Sequence, residues 1–188
     1  MEAIVIAPTR DADLVERARR GDLEAFESIV RDRMGAVYRI SLAIAGNEAD
    51  AADATQDAFV AAWKQIPSLR DAARLEAWLG RIAVNAARML VRARRRRSVR
   101  EIADLEIREA QVASTHAAGS PAERDGETLA AALDRLDPDQ RAILALRHLD
   151  GRGIPEIAAI LGIREGTAKS RLFTARRALQ AAIAEVER

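Results

Sequence analysis

The stretch EIAAILGIREGTAKSRLFTARRAL, from Glu156 to Leu179, constrains this 188-residue chain more than any other. Pro155 suits the first turn of a helix, where its missing N–H is not needed. That helix presents Ile157, Ala158 and Leu161 to one side. Gly162 accepts the sharp turn that ends it, and Ile163 packs between the two helical patterns. A second helix starts near Arg164 or Glu165. Its apolar positions Ala168, Leu172, Ala175, Leu179 and Ile183 follow the spacing of one helical face. The opposite face holds Gly166, Lys169, Ser170, Phe173, Thr174 and Arg177. Two helices joined at a glycine turn, the second with a basic outer face, have the form of a helix-turn-helix. Lys169 can donate to guanine edges or phosphate, Ser170 can bond bases or backbone, and Phe173 can press on a thymine methyl. Arg164, Arg171, Arg176 and Arg177 can set the helix on phosphates. The competing reading is an αα-hairpin whose basic face is merely solvated. The small-residue turn, the basic face and the outward ring together favour DNA.

The remaining pattern is helical as well. Hydrophobic residues make up 49% of the chain but aromatics only 3%. Alanine fills much of the apolar share, which favours closely packed helices over a sheet built from β-branched and aromatic residues. Asp13 can cap a helix from Leu14. From Leu23, apolar residues at Phe26, Ile29, Val30, Val37, Ile40, Leu42 and Ile44 predict a long helix ended by Gly46-Asn47. A third helix runs from about Glu48 to Ile66 with Ala52, Thr55, Phe59, Ala62 and Trp63 in one stripe. A fourth covers Arg74 to Arg97 with Leu75, Trp78, Leu79, Ile82 and Ala86 inward. Residues 98–127 contain VASTHAAGSPAERDGE and read as a flexible linker with a helical start near Val99 to Val112. Helical spacing returns over 128–188, with Leu129, Leu133 and Leu136 in a stripe and Pro138 opening the next helix. The expected fold is all-α: two small helical domains, 11–97 and 128–188, joined by a linker at 98–127.

Charge and cysteine content narrow the chemistry. The net charge of +1 says nothing about partners, but its distribution does. Seven arginines lie between Arg88 and Arg100 with no acidic residue among them. That density predicts a salt-sensitive attraction to phosphates. Asn85, Arg88 and Arg92 fall on one side of their helix, and Arg95 continues the basic run. The absence of cysteine excludes a disulfide framework and thiolate metal sites. His116 and His148 have no neighbouring ligand set or nucleophile, so no metal, cofactor or catalytic site is expected. The opening MEAIVIAPTR lacks the basic start of a signal segment, and no apolar run reaches membrane-spanning length. The chain reads as cytoplasmic, with no membrane insertion.

Two separate stretches resemble the same family. EIAAILGIREGTAKSRLFTARRAL, preceded by LAAALDRLDPDQRAILALRHLDG, resembles the promoter-reading domain of bacterial RNA polymerase sigma factors. NEADAADATQDAFVAAWKQIPSLRDAARLEAWLGRIAVNAARMLVRARRRR resembles the other sigma domain, through its D-x-x-Q-D and A-W-L-x-R-I-A-x-N segments. Order and spacing match the small extracytoplasmic-function (ECF) group of the sigma-70 family. The resemblance implies a factor that binds core RNA polymerase and directs promoter-specific initiation under the control of an anti-sigma factor, without being an enzyme. By position it gives Asp53, Gln56 and Asp57 to polymerase docking. It gives Asn85, Arg88, Arg92 and Arg95 to the minus-ten element of promoter DNA, with a base-capturing pocket in the loop from Ile66 to Arg74. It gives Arg164, Gly166, Thr167, Lys169, Ser170, Arg171, Phe173, Thr174 and Arg177 to the minus-thirty-five element. Leu75 stands where many relatives have phenylalanine, which implies a loop with its own base preference. Two other readings compete: a sigma-like decoy for an anti-sigma factor, and a plain helix-turn-helix regulator. The retained arginines and the Lys169-Ser170 face oppose the first. The docking-like helix opposes the second.

Overall fold

The computed structural model describes residues 10–104 and 121–188, with the side chains of Arg95, 97–104 and 121–125 left aside. Among the described residues, eight α-helices and two short 3-10 turns account for the regular structure, and there is no strand. The helices are α1 (Arg10–Arg19), α2 (Leu23–Ala45), α3 (Glu48–Gln65), α4 (Leu75–Asp104), α5 (Pro121–Asp134), α6 (Pro138–His148), α7 (Ile154–Leu161) and α8 (Glu165–Val186).

Local chemistry sets the helix ends. Asp22 caps α2 by accepting the Ala25 N–H at 3.1 Å. At the other end Gly46 adopts φ +82° and donates its N–H to the Leu42 carbonyl at 2.8 Å. Asn47 then caps α3 by accepting the Asp50 N–H at 2.9 Å. One left-handed residue and one capping residue thus reverse the chain between the two helices. Asp137 opens α6 with a reciprocal capping box, its carboxylate taking the Asp139 and Gln140 N–H groups while Gln140 accepts the Asp137 N–H. Gly162 closes α7 at φ +64°, with the Ile163 N–H reaching the Ala158 carbonyl at 3.0 Å.

Three boundaries and two stripes differ from the sequence expectation. α1 begins at Arg10, ahead of Asp13, and its start is tied by Asp11 to Arg33 at 2.7 Å. α4 runs on to Asp104 and α5 begins at Pro121, so both extend into the range read as linker. Arginine is a good helix former, and nothing between Arg92 and Asp104 stops the helix. In α3 the buried residues are Ala51, Ala54, Thr55, Ala58, Phe59 and Ala62, whereas Ala52 is exposed. An alanine-rich helix carries too little size contrast for periodicity to fix its face. In α5 only Leu136, just past the helix, is fully buried of the expected stripe; Leu133 is half-buried and Leu129 is 43% exposed.

The two halves share one core. A contiguous apolar cluster runs from Leu14 in α1 to Ala182 in α8. α4 lies at its centre. Leu75, Leu79, Ile82, Ala83, Val84 and Ala87 are buried, and α4 packs against α2, α3, α6 and α7. Where α4 meets α7, the absent side chain of Gly80 makes room for Ile160; a Cβ there would stand 3.4 Å from Ile160 Cδ1.

Ile157 is fully buried in the α7 portion of this core. Ile157→Ala should cost about 2–5 kcal/mol in urea unfolding followed by circular dichroism. The Asp22 cap gives a pH prediction. The Ala25 N–H, then Arg17, hold its carboxyl below the usual carboxylate range. A carboxyl lowered on folding stabilises fully above its unfolded value, near 4, and that gain is lost as pH falls through the folded value. The difference in urea midpoint between wild type and Asp22→Ala should therefore be constant near neutrality and narrow below about pH 4. A gap that widens on acidification would contradict this assignment.

Candidate functional site

The recognition-like helix α8 separates its faces cleanly. Ala168, Leu172 and Ala175 are buried, and Arg164, Gly166, Thr167, Lys169, Ser170, Arg171, Phe173, Thr174 and Arg177 are all exposed. Phe173 is 64% exposed, and the Arg177 guanidinium lies 5.9 Å from its ring centre. That distance allows a weak cation–π contact which steadies both side chains. Arg164 takes the N-cap position without a side-chain cap bond. The first turn of α8 thus leaves backbone N–H groups toward solvent, where an anion such as a phosphate is favoured. Ser170, Arg171 and Thr174 form one flank of this face. They line a cleft of about 320 Å³ shared with Asp137, Asp139 and Gln140 of the α6 start.

The basic side of α4 is less free than its sequence suggests. Asn85 is exposed. Arg88 keeps only 13% of its side chain exposed, and its Nε lies 2.6 Å from Asp139 Oδ1. Neither that Nε nor Nη2 makes an aligned hydrogen bond among the described residues. Burial pushes the Arg88 pKa down, Asp139 works against that, and Arg92 and Arg171 push it further down. Arg92 is 57% exposed, with Nη2 3.5 Å from Asp139 Oδ2. The side chain of Arg95 lies outside the described residues. Arg94, absent from the expected set, pairs with Asp50 at 2.7 Å.

Between α3 and α4 the chain makes two 3-10 turns, Ile66–Ser68 and Ala72–Arg74, the second capped by Asp71. They border a cleft of about 480 Å³ lined by Leu69, Arg70, Asp71, Arg74, Trp78 and Arg81, with Ala159 of α7 on its far wall. Trp78 is half-buried, so it both packs on the core and faces this cleft. Leu75 is 1% exposed and supports the loop from below.

Asp53, Gln56 and Asp57 lie together on the solvent side of α3, all exposed. Beside them runs an apolar groove of about 590 Å³ between α2 and α3. Its lining includes Leu23, Phe26, Met34, Phe59, Val60 and Trp63. Leu23 is 57%, Met34 43% and Val60 45% exposed. The Phe26 and Trp63 rings meet in a tilted arrangement, centroids 5.0 Å apart, and both line it. Sequence reasoning missed this groove. Its signal was present in large apolar side chains at Leu23, Met34 and Val60, positions that no buried stripe explains.

No group of three metal-ligating residues occurs among the described residues, and no described helix is long and apolar enough to cross a membrane. His148 is exposed. Partial burial, with Arg176 and Arg147 nearby, lowers its pKa. His116 lies outside the described residues.

The comparisons with known proteins agree with this geometry. The model for sigma-70 region 2 matches residues 29–97, and that for sigma-70 region 4 matches residues 126–179. The ECF RNA polymerase sigma-E factor of Escherichia coli (strain K12) is 32% identical over 179 residues, covering 90% of this chain and 92% of that protein. The ECF RNA polymerase sigma factor SigE of Mycolicibacterium smegmatis is 30% identical over 173 residues, covering 92% and 67%. Among solved structures, CnrH in complex with the cytosolic domain of CnrY superposes with a TM-score of 0.67 at 28% identity, covering 94% of this chain and 99% of that one. The sigma factor RpoE in complex with the anti-sigma factor NepR from Bartonella quintana gives 0.63 at 28%, covering 88% and 100%. Two family models in the expected order, and the Escherichia coli relative matched over nearly its whole length, show that the chain belongs to the ECF sigma factors of the sigma-70 family.

Proposed function

We propose that this chain directs core RNA polymerase to promoters, with residues 11–97 as the docking and minus-ten domain, 98–127 as linker and 128–188 as the minus-thirty-five domain. The observation that carries this reading is the pairing, on one chain, of an unpartnered acidic face beside an apolar groove with a recognition helix that exposes Lys169, Ser170 and Phe173. Asp53 and Asp57 make no ion pair among the described residues, so their charges are available to a basic partner helix. The groove adds desolvated contact area next to them, the usual make-up of a specific interface. The polymerase surface implied by the family resemblance would sit across both.

The remaining roles are those that the family resemblance implies, and charge and shape support them. Asn85, Arg88, Arg92 and Arg95 approach the minus-ten region, and the cleft under the two 3-10 turns accepts an extruded base. Opening a base step costs stacking and pairing energy, which contacts in such a cleft offset. α8 enters the major groove at the minus-thirty-five element, with Lys169, Ser170 and Phe173 toward base edges and Arg164, Arg171 and Arg177 toward phosphates. The factor holds DNA and breaks no covalent bond, so no catalytic group is required. It works in the cytoplasm. Its control by an anti-sigma factor is supported by the solved relative bound to NepR.

Two experiments test these faces separately. Reversing charge at the docking face, Asp53→Arg with Asp57→Arg, should weaken binding to purified core polymerase about tenfold or more, with thermal stability unchanged because both sites are exposed. Undiminished core binding would move the docking site elsewhere. Lys169→Ala should cost about 1–3 kcal/mol on duplexes carrying the upstream element if Lys169 reads a base, with little loss on other sequences. Equal weakening on every duplex would make it a phosphate contact.

A further inference from the structure

The exposed face of α8 carries one large group that makes no hydrogen bond. Lys169, Ser170, Thr174 and Arg177 all end in polar atoms, and among them stands Phe173, whose ring is 64% exposed. A lone apolar side chain on a surface needs no explanation by itself. This one is held in place. Ala168, Leu172 and Ala175 anchor α8 from the opposite side, so the ring points away from the core. The Arg177 guanidinium, 5.9 Å from the ring centre, restrains its swing. Two turns earlier on the same line, Gly166 leaves the helix bare, and a Cβ there would meet nothing within 4 Å. No packing demands glycine at that position. The missing side chain lets the first turns of α8 come close to whatever surface they meet.

The chemistry of base edges decides what such a ring can sense. Bases in a duplex are stacked, so a side chain in the major groove touches only their edges. Those edges present ring nitrogens, carbonyl oxygens and amino groups, together with one apolar group, the C5 methyl of thymine. A ring laid on a polar edge strips water from it and returns no hydrogen bond, which weakens binding. A ring laid on the methyl removes apolar surface from water, which strengthens binding. Phe173 therefore favours a pyrimidine that carries a methyl.

The ring senses the methyl and not the rest of the base. Thymine and 5-methylcytosine carry the same methyl on the same carbon. They differ beside it, where thymine has the O4 acceptor and 5-methylcytosine the N4 amino donor. Ser170 lies one turn before Phe173, and Thr174 lies next to it. Both end in hydroxyls, which donate or accept as the partner requires. The Ser170 hydroxyl donates to the Thr167 carbonyl at 3.5 Å, a long bond that a base edge can displace. A guanidinium in either place would demand O4, and a carboxylate would demand N4. Two hydroxyls take both. Lys169, the other neighbour one turn away, has a flexible four-carbon stem that can carry its ammonium past the ring to the next base or to phosphate.

We propose that α8 reads a C5-methyl group through Phe173, so that at one position of its element 5-methylcytosine serves in place of thymine and unmethylated cytosine does not. The chain then responds to cytosine methylation: a promoter with cytosine at this position gains occupancy once that cytosine is methylated. This rests on the placing of α8 in the major groove.

The test exchanges the methyl between the two pyrimidines. The whole chain, bound to core RNA polymerase, is offered two pools of random duplex. One pool contains ordinary thymine and cytosine. The other contains uracil in place of thymine and 5-methylcytosine in place of cytosine. Bound duplexes are recovered and sequenced. At one position of the enriched motif the first pool should give thymine and the second 5-methylcytosine, with the other positions keeping their bases. Phe173→Ala, at an exposed site, should abolish this exchange, and Phe173→Leu should retain it because leucine is still apolar. On a single duplex carrying the first motif, uracil for that thymine should weaken binding about fourfold, the worth of one buried carbon, and 5-methylcytosine should restore it. The same base at every position from both pools would overturn the proposal, as would an exchange that persists in Phe173→Ala. Failure of either pool to yield any motif would instead overturn the placing of α8 in the groove, and the proposal with it.

Discussion

Burial of α4 is the constraint on which the molecule depends. Its apolar residues face α2 and α3 on one side and α6 and α7 on another. The helix cannot leave either set without exposing large side chains such as Leu79 and Ile82. α4 also carries the basic residues given to promoter DNA. One helix is thus the centre of the core and the carrier of a DNA surface, and its rotation about the core decides which arginines face outward. Arg92 lies toward solvent. Arg88, one turn earlier, is drawn under α6.

Small residues make this arrangement possible. Ala83, Ala87, Ala54, Ala58 and Ala168 are fully buried, so helix axes approach closely with little aromatic bulk. Gly80 extends the same device across the seam between the halves, where Ile160 occupies the space a side chain would take. The ion pairs around Arg152 and Glu76 are partly exposed and add little stability by themselves. They fix the register of α7 on α4, because Arg152 meets Glu76 of α4 while Asp150 and Glu156 hold its guanidinium.

Much of this was legible in the sequence, for physical reasons that differ by element. The faces of α8 were readable because large and small side chains contrast strongly along it. The turn at Gly162 was readable because its position requires a left-handed residue. α3 was harder, since alanines point both ways and Ala52 was placed on the wrong side. The groove at Leu23, Met34 and Val60 was missed because the pattern assigns residues to helices and does not show which neighbouring helices leave a gap. Pairing of Arg88 with Asp139 was beyond any local pattern. The two residues are 51 positions apart in sequence and meet only once the halves pack. Most residues given to the candidate interfaces are exposed, and among those described Arg88 is the one whose side chain is largely buried.

The central claim is that this chain gives core polymerase its promoter choice, and transcription tests it most directly. Purified chain would be added to core RNA polymerase and a fragmented genomic library, and RNA 5′ ends mapped. The account predicts starts that appear only with the chain and share two spaced upstream motifs, one near minus ten and one near minus thirty-five. Tight binding to core without specific starts would contradict it and indicate a sigma-like decoy. Failure to bind core would contradict it more deeply, leaving a helix-turn-helix protein that works apart from the polymerase.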